Sequence, residues 1–191
     1  VMPNGTVWLL TDNDGAIRIL THPEENNRLT WDIYSGKSEL FPSFHVFKVY
    51  QDKAGNDWLL TDNGLGLIRP GTREPVSYFT ETKGKNGGMN QAFYAAQEND
   101  GHIRFASDHG RIWSYRKEGG DFTLFELPTK SRITSIHEVA PEQTVVTTDS
   151  DGFFTYHLKT KAAVHYSSLT CKALPDRPIL SAYVDLSLIH I

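Results

Sequence analysis

Residues 55 to 65 read Gly-Asn-Asp-Trp-Leu-Leu-Thr-Asp-Asn-Gly-Leu, an apolar stretch followed by Thr-Asp and a glycine turn. Similar phrases return three more times along the chain, and their acidic residues fall at Asp12, Asp62, Asp108 and Asp149. Short strands and tight turns that repeat about every 40 to 50 residues are typical of a β-propeller, with one repeat in each blade. The period therefore predicts an all-β propeller fragment of about four blades.

A second pattern precedes each phrase, with two small or β-branched residues placed three positions apart. The pairs begin at Val46, Ala92, Ile133 and Ile179. We expect these residues to begin the innermost strands of four sheets, each with three or four antiparallel strands. Asn63-Gly64 lies between two apolar runs and is a hairpin turn sequence, because both residues tolerate a positive φ. No segment of ten or more residues keeps a helical apolar period, so we predict no substantial helix.

The composition excludes several classes of protein. A net charge of −4 and a pI near 6.1, without a basic stripe, predict no nucleic-acid partner and no contact with an anionic membrane. No run approaches the 18 apolar residues of a membrane span. The single cysteine, Cys171, excludes an internal disulfide and is interpreted as a packing residue. We predict no cofactor, because Gly64–Arg69 and Gly84–Gly88 lack the features of dinucleotide and phosphate loops.

Both ends of the chain indicate an incomplete propeller. Met2 and Gly5 fall where a repeat has its acid and its glycine, so the chain is expected to open inside a blade, without that blade's first strand. Residues 186–191 read Leu-Ser-Leu-Ile-His-Ile and resemble a translated sequencing adapter. We therefore assign residues 1–185 to propeller blades and residues 186–191 to a non-native tail.

The stretch from Gly55 to Leu65 resembles the two-component regulator propeller repeat. That family carries the form Ile-x-x-Ile-x-x-Asp-x-x-Gly-x-x-Trp-x-x-Thr-x-x-Gly-Leu in blade after blade, and the resemblance covers residues 1–185. It weakens along the chain. Arg104 stands at the tryptophan position of the third repeat, and Val139 and Val145 replace the acid and the tryptophan of the fourth.

The resemblance implies a sensor and not an enzyme. Such repeats form the periplasmic sensor half of hybrid two-component receptors, in which two seven-bladed propellers precede an immunoglobulin-like domain, a membrane helix and a histidine-kinase module. The implied partners are an oligosaccharide or another small soluble ligand, the remaining blades of the propeller, and a second copy in a homodimer. Two alternatives stay open, since a fold does not fix a function. They are a propeller lyase or other carbohydrate-active enzyme, and a protein-interaction scaffold.

The repeated residues are interpreted as structural, and no catalytic residue is assigned. Trp8 and Trp58 share one blade position and are expected to pack between neighbouring blades, with stacking on a sugar ring as the alternative. The aspartates of the repeat follow Thr or Ser, where a short polar side chain can accept hydrogen bonds from turn N–H groups. We expect this role of Asp12, Asp62, Asp108 and Asp149.

No metal site is predicted. Asp12–Gly15 and Asp149–Gly152 resemble acidic calcium loops but lack the bidentate glutamate that such loops need. Neither His-x-His nor His-Glu-x-x-His spacing occurs among His22, His45, His102, His109, His137, His157 and His165.

The ligand-binding residues stay unassigned at the level of sequence. Two irregular stretches, Thr21–Phe44 and Glu81–Gln91, interrupt the repeat. Excursions from a regular scaffold often carry binding residues, so these stretches are the candidate recognition surface. Ordinary variation in loop length is the alternative.

Overall fold

A computed structural model of the chain describes residues 2, 5–35, 41, 43, 45–79, 91–174 and 176–182. These residues form fifteen β-strands in four antiparallel sheets, each a meander in chain order. Pro23–Glu25, a single 3-10 turn, is the one helical element of the described chain. None of the described residues belongs to a helix that could cross a membrane. The predicted all-β fold with four sheets of three or four strands is confirmed.

The first of two compact units, Val1–Phe93, contains two sheets that we name blade 1 and blade 2. Blade 1 has three strands, β1 (Val7–Leu10), β2 (Ala16–His22) and β3 (Arg28–Tyr34). Blade 2 has four strands, β4 (Val46–Gln51), β5 (Asp57–Thr61), β6 (Gly64–Ile68) and β7 (Val76–Tyr78).

The second unit, Tyr94–Ile191, contains blades 3 and 4, although the first strand of blade 3 begins one residue earlier. Blade 3 has the strands β8 (Phe93–Asn99), β9 (His102–Ser107), β10 (Arg111–Arg116) and β11 (Asp121–Glu126). Blade 4 has the strands β12 (Ile133–Ala140), β13 (Gln143–Thr148), β14 (Phe153–His157) and β15 (Ala163–Tyr166).

The two units repeat one packing relation between consecutive blades. β4 contacts β1 in the first unit, and β12 contacts β9 in the second. These contacts are equivalent, because β1 occupies the second-strand position of its repeat, as β9 does. Packing of each blade on its neighbour is how propeller blades bury their apolar faces. Three of the four predicted first strands are also confirmed, since β4, β8 and β12 begin at Val46, Phe93 and Ile133.

The fourth predicted first strand, from Ile179, is wrong for the residues that the structure describes. Residues 179–182 are not a strand, because their hydrogen bonds go to scattered groups on blade 4 and do not form a ladder. Ile179 N–H donates to the carbonyl of Thr148 at 3.3 Å, and Ala182 N–H donates to Ser135 Oγ at 3.2 Å. The predicted non-native tail, residues 186–191, lies outside the described residues.

The acid and the tryptophan of the repeat are linked directly in blade 2. One oxygen of the Asp52 carboxylate accepts backbone N–H groups from Ala54 at 2.9 Å and Asn56 at 3.0 Å, which closes the turn between β4 and β5. Its other oxygen accepts the Trp58 indole N–H at 3.2 Å. Trp58 is fully buried, so this bond supplies a partner for a donor that water cannot reach. The predicted burial of Trp58 is confirmed, and its ring packs near Tyr78 of the same blade.

Trp8 occupies the same position in blade 1, where Met2 replaces the acid. Its indole N–H donates instead to Asp57 Oδ2 of blade 2 at 3.3 Å, and its half-buried ring lies 5.4 Å from that of Tyr34. Burial raises the pKa of Asp57, which the bonds from Gln51 and Trp8 oppose. Trp8 therefore lies between neighbouring blades, as predicted.

Blade 3 departs from this pattern with a buried charge. Arg104 stands at the tryptophan position, and its Nη1 lies 3.9 Å from Glu138 Oε2 of blade 4. Burial lowers the pKa of the Arg104 guanidinium, while the Glu138 carboxylate opposes that change. The Glu138 N–H donates to Gln97 Oε1 at 2.7 Å. A polar junction thus joins blades 3 and 4 where blade 2 has an indole.

Candidate functional site

Threonine hydroxyls close the turns of the repeated phrase in three blades. Each hydroxyl donates to the glycine carbonyl at 2.8 to 2.9 Å and accepts a turn N–H at 2.9 to 3.1 Å. The threonines are Thr11 with Gly15 and Asp14, Thr61 with Gly64 and Asn63, and Thr148 with Gly152 and Asp151. For Asp12, Asp62 and Asp149 the prediction that the aspartate accepts a turn N–H is wrong, because the preceding threonine supplies the acceptor.

The aspartates instead contact residues near the start of first strands. Asp62 Oδ1 accepts the Ser43 hydroxyl at 2.5 Å, and Asp12 Oδ1 lies 3.2 Å from His45 Nε2. Asp149 Oδ1 accepts the backbone N–H of Arg132 at 3.2 Å, and its Oδ2 lies 3.4 Å from the Arg132 Nε.

Asp108 follows the same rule with a phenol as its donor. Its Oδ2 accepts the Tyr94 hydroxyl at 3.3 Å. Burial and the Asp108 carboxylate raise the pKa of Tyr94, so this phenol stays a donor at neutral pH. The guanidinium carbon of Arg132 lies 4.9 Å from the centre of the Tyr94 ring. These aspartates anchor the turns to neighbouring segments, so their role is structural, as the repetition indicated, but with other partners.

An open cleft of about 540 Å³ lies at the last of these turns, within the second unit. The turn Asp149–Gly152 forms one wall, and His165 of β15 lies beside it. Residues 167–169 and 176–178, which follow β15, form the rest of the lining. The cleft therefore combines a repeated turn with a segment that has no counterpart in the repeat.

His165 holds a fixed orientation in the cleft. Its ring stacks on Phe154 with centroids 4.5 Å apart and planes 13° apart. Its Nε2 lies 2.8 Å from the Asp151 carbonyl oxygen and 3.0 Å from Asp151 Oδ1. Both neighbours are acceptors, so Nε2 carries a proton. His165 is thus a hydrogen-bonded wall residue in contact with an aspartate.

Most residues that line the cleft are polar, and its carboxylates outnumber its cations. Three carboxylates line it, from Asp149, Asp151 and Asp176, against one guanidinium, from Arg177. Hydroxyl groups come from Ser150, Ser167 and Ser168. Such a lining can exchange several hydrogen bonds with a hydroxyl-rich ligand, and it disfavours an anion.

A second cleft of about 530 Å³ adjoins the first. His109, residues 126–130 and Asp151 line it, so the two share the Asp151 side of the turn. Residues 126–130 connect blade 3 to blade 4, and the Gly110 N–H donates to the Ser131 carbonyl at 3.0 Å beside them. The two clefts therefore adjoin on blades 3 and 4.

The structure describes only part of the two stretches predicted as recognition surfaces. Residues 36–40, 42 and 44 of the first lie outside the described residues. Residues 21–34 form the β2–β3 hairpin in continuous register, with Thr21 opposite Leu29, and are not an irregular loop. The alternating apolar side chains of Leu29, Trp31 and Ile33 are a strand signal within that stretch. Residues 81–90 of the other stretch lie outside the described residues.

One cluster could offer three ligand atoms to a metal ion. Atoms of His22, Glu24 and Glu25 lie within 4.8 Å of one another on the exposed 3-10 turn. Glu25 is already paired with Arg28 at 2.9 Å, and His22 Nε2 is hydrogen-bonded to Thr30 at 2.8 Å. The cluster therefore carries no assignment.

Comparison with known proteins finds this fold in the extracellular domains of hybrid two-component systems. No protein-family model and no curated protein sequence matches the chain. The fold is similar to the extracellular domain of the hybrid two-component system BT4673 from B. thetaiotaomicron, with a TM-score of 0.72 and 17% identity over 97% of this chain and 24% of that domain. The corresponding domain of BT3049 gives a TM-score of 0.60 and 21% identity over 72% of this chain and 20% of that one.

An enzyme shares the fold as well. Virginiamycin B lyase from Staphylococcus aureus is similar with a TM-score of 0.63 and 18% identity, over 87% of this chain and 53% of the lyase. The chain spans about a quarter of the length of the extracellular domains it matches. The four sheets are therefore blades of a propeller, and the likeness to the propeller regions of hybrid two-component systems is confirmed at the level of fold.

Proposed function

We propose that this chain is part of the ligand-sensing propeller region of a periplasmic hybrid two-component sensor, and that it binds a neutral oligosaccharide. The observation that carries the proposal is the polar cleft at Asp149–Gly152, where carboxylates and hydroxyl groups converge beside His165. A sugar presents donors and acceptors in every direction, and such a lining can satisfy them. The likeness to extracellular sensor domains supports the same assignment.

The charge of the cleft restricts the class of oligosaccharide that it can bind. Sugar hydroxyls donate well to carboxylates, and a hydrogen bond to a charged group is worth about 1.5 to 3 kcal/mol. Uronates and sulfated sugars would bring their own negative charge against Asp151 and Asp176, with Arg177 as the cation of the lining. The third carboxylate, Asp149, is already paired with Arg132. We therefore expect neutral oligosaccharides to bind more tightly than acidic ones.

Ligand binding would act through a difference in free energy between two arrangements of the receptor. A ligand shifts such an equilibrium only as far as its affinities for the two states differ. The remaining blades of the parent protein and a second copy in a homodimer are the proposed partners in that change. The kinase would respond to the shift, and the cleft would contribute its differential contacts.

A lyase is the second candidate, since virginiamycin B lyase shares the fold. In the cleft His165 is stacked on Phe154 and bonded to Asp151 through Nε2. A general base needs a free ring nitrogen within hydrogen-bond reach of the proton that it removes. Because Nε2 of His165 carries a proton, Nδ1 is the ring nitrogen that would have to act as the general base.

The proposal is tested by calorimetric titration of the protein with neutral oligosaccharides, with uronate oligosaccharides in parallel. Asp176→Ala is expected to weaken binding of the neutral ligand about 10- to 100-fold, because it removes a charged acceptor from an exposed wall. Glu118→Ala removes the same charge at the exposed β10–β11 turn and is the matched control.

Three outcomes would contradict the proposal. Equal losses in the Asp176→Ala and Glu118→Ala variants would place binding elsewhere. Tighter binding of uronates would contradict the charge argument. Cleavage products in the same mixtures, lost on His165→Gln, would favour the lyase.

A further inference from the structure

The outer face of blade 1 is apolar and uncovered. We use this name for the side of the sheet that carries Leu9, Ile17, Ile19, Leu29, Trp31 and Ile33. The register places Leu9 opposite Ile17 and Ile17 opposite Ile33, so the side chains share one side of the sheet. Trp31 is 65% exposed and Ile33 66% exposed. The other side, with Trp8 and Arg18, contacts blade 2.

The same side of blade 2 is fully covered. Leu9 and Ile19 of blade 1 correspond to Leu59 and Ile68 in the repeat, because both pairs hold the same positions relative to the Thr-Asp turn. Leu59 and Ile68 are buried, and they belong to one core cluster with Ala16 of blade 1. Blade 1 therefore covers on blade 2 the positions that are open on blade 1 itself.

The second unit shows the same arrangement independently. Val146 and Phe154 of blade 4 form a cross-strand pair as Leu9 and Ile17 do on blade 1, and both are fully buried. They share a core cluster with Ala106 and Ile112 of blade 3. In both units this side of a blade is thus covered by the blade that precedes it in the chain.

We infer that the outer face of blade 1 is a docking surface for one further propeller blade of the same repeat type. Both internal examples indicate the chemistry of the occupant. It presents a small or branched apolar residue at the start of the strand that follows the Thr-Asp or Ser-Asp turn. Ala16 holds this position in β2, and Ile112 holds it in β10. Val7 stands on blade 1 where Asp57 stands on blade 2, so this contact lacks the Trp8–Asp57 bond. Thr21, opposite Leu29, adds a hydroxyl at the edge of an otherwise apolar face.

Large apolar patches on a protein surface normally mark an interface. A sugar is a poor occupant of this face, because none of the six side chains offers a hydrogen-bonding group apart from the Trp31 indole. A sheet with a matching apolar face buries all six. This inference is independent of the ligand cleft, which lies in the other unit.

The test introduces one substitution, Ile33→Lys, into two proteins in which opposite effects are expected. One is the chain as it stands, and the other carries a copy of residues 45–96 joined before Val1, which itself aligns with Gln97. That copy adds one blade and supplies the first strand of blade 1, because Met2 aligns with Glu98 in the repeat. Ile33→Lys in the chain as it stands is expected to lower binding of an apolar dye about twofold or more and to raise solubility, since it interrupts an exposed patch.

In the extended chain Ile33→Lys is expected to act in the opposite sense and to lower the midpoint of urea unfolding, because the charge would then be buried. Leu169→Lys is the control in both proteins, since Leu169 is 93% exposed and lies outside this face. An unchanged urea midpoint in the extended variant would overturn the inference. So would a stable dimer of the chain as it stands that Ile33→Lys converts to a monomer, because the occupant would then be a second copy.

Discussion

Trp58→Ala is expected to lower the free energy of unfolding by about 3–5 kcal/mol, the range for removing a large buried aromatic side chain. Trp58 is fully buried, and its ring lies 6.0 Å from that of Tyr78. The substitution leaves a cavity, and it also removes one of two donors to Asp52 Oδ2, the other being the Asn56 side-chain amide at 2.9 Å. Urea unfolding followed by circular dichroism measures the loss.

Trp31→Ala is the matched control, because it removes the same side chain from a site that is 65% exposed. Its expected cost is below about 1 kcal/mol, as for surface substitutions in general. Trp58→Phe separates the two contributions, since it keeps most of the apolar volume and removes the indole N–H. Equal losses for Trp58→Ala and Trp31→Ala would contradict the burial on which the expectation rests.

Gly15→Ala is expected to cost about 2–5 kcal/mol, from a strained backbone and an overlap with a neighbouring strand. Gly15 has a φ of +84°, and a Cβ at this position would lie 2.0 Å from the Tyr34 carbonyl oxygen. That oxygen belongs to the backbone at the end of β3, so it cannot move away as a flexible side chain would.

Gly71→Ala isolates the first of these two effects. Gly71 has a φ of +74°, and a Cβ there would meet nothing within 4 Å. We expect a cost of about 1 kcal/mol from the backbone conformation alone. Thermal unfolding of the two variants measures the difference between them. A cost for Gly15→Ala no larger than that for Gly71→Ala would show that blade 1 can shift β3 without penalty.

The repeat predicted the blades because each blade of a propeller has the same strands and turns, so the same residue types recur at similar intervals. Strand starts near Val46, Ala92 and Ile133 follow from equivalent positions in successive repeats. Ile179 has the same local pattern, yet residues 179–182 bond to single groups of blade 4. A strand depends on a partner ladder, which a local pattern does not specify.

The candidate site could not be predicted from the repeat. Its walls include residues 167–169 and 176–178, which follow no period and match no motif. The turn Asp149–Gly152 was recognised as part of the repeat, but nothing in the sequence distinguished Asp149 from Asp62 and Asp108 as a cleft residue. The sequence also did not show that Thr148, and not Asp149, accepts the turn N–H. Both residue types can accept such a hydrogen bond, and the structure shows which one does.

The bond between Asp52 and Trp58 has a consequence for how these blades diverge. A buried indole N–H without an acceptor costs about 1–3 kcal/mol, so loss of the acid alone penalises the tryptophan that remains. Blade 4 has lost both members, with Val139 and Val145 at the two positions. Blade 1 lost only the acid and kept Trp8, whose N–H now has an acceptor in Asp57 of the adjacent blade. Substitutions at the two positions should therefore covary across homologous blades, and a tryptophan that persists without its acid should predict an acidic residue in the next blade.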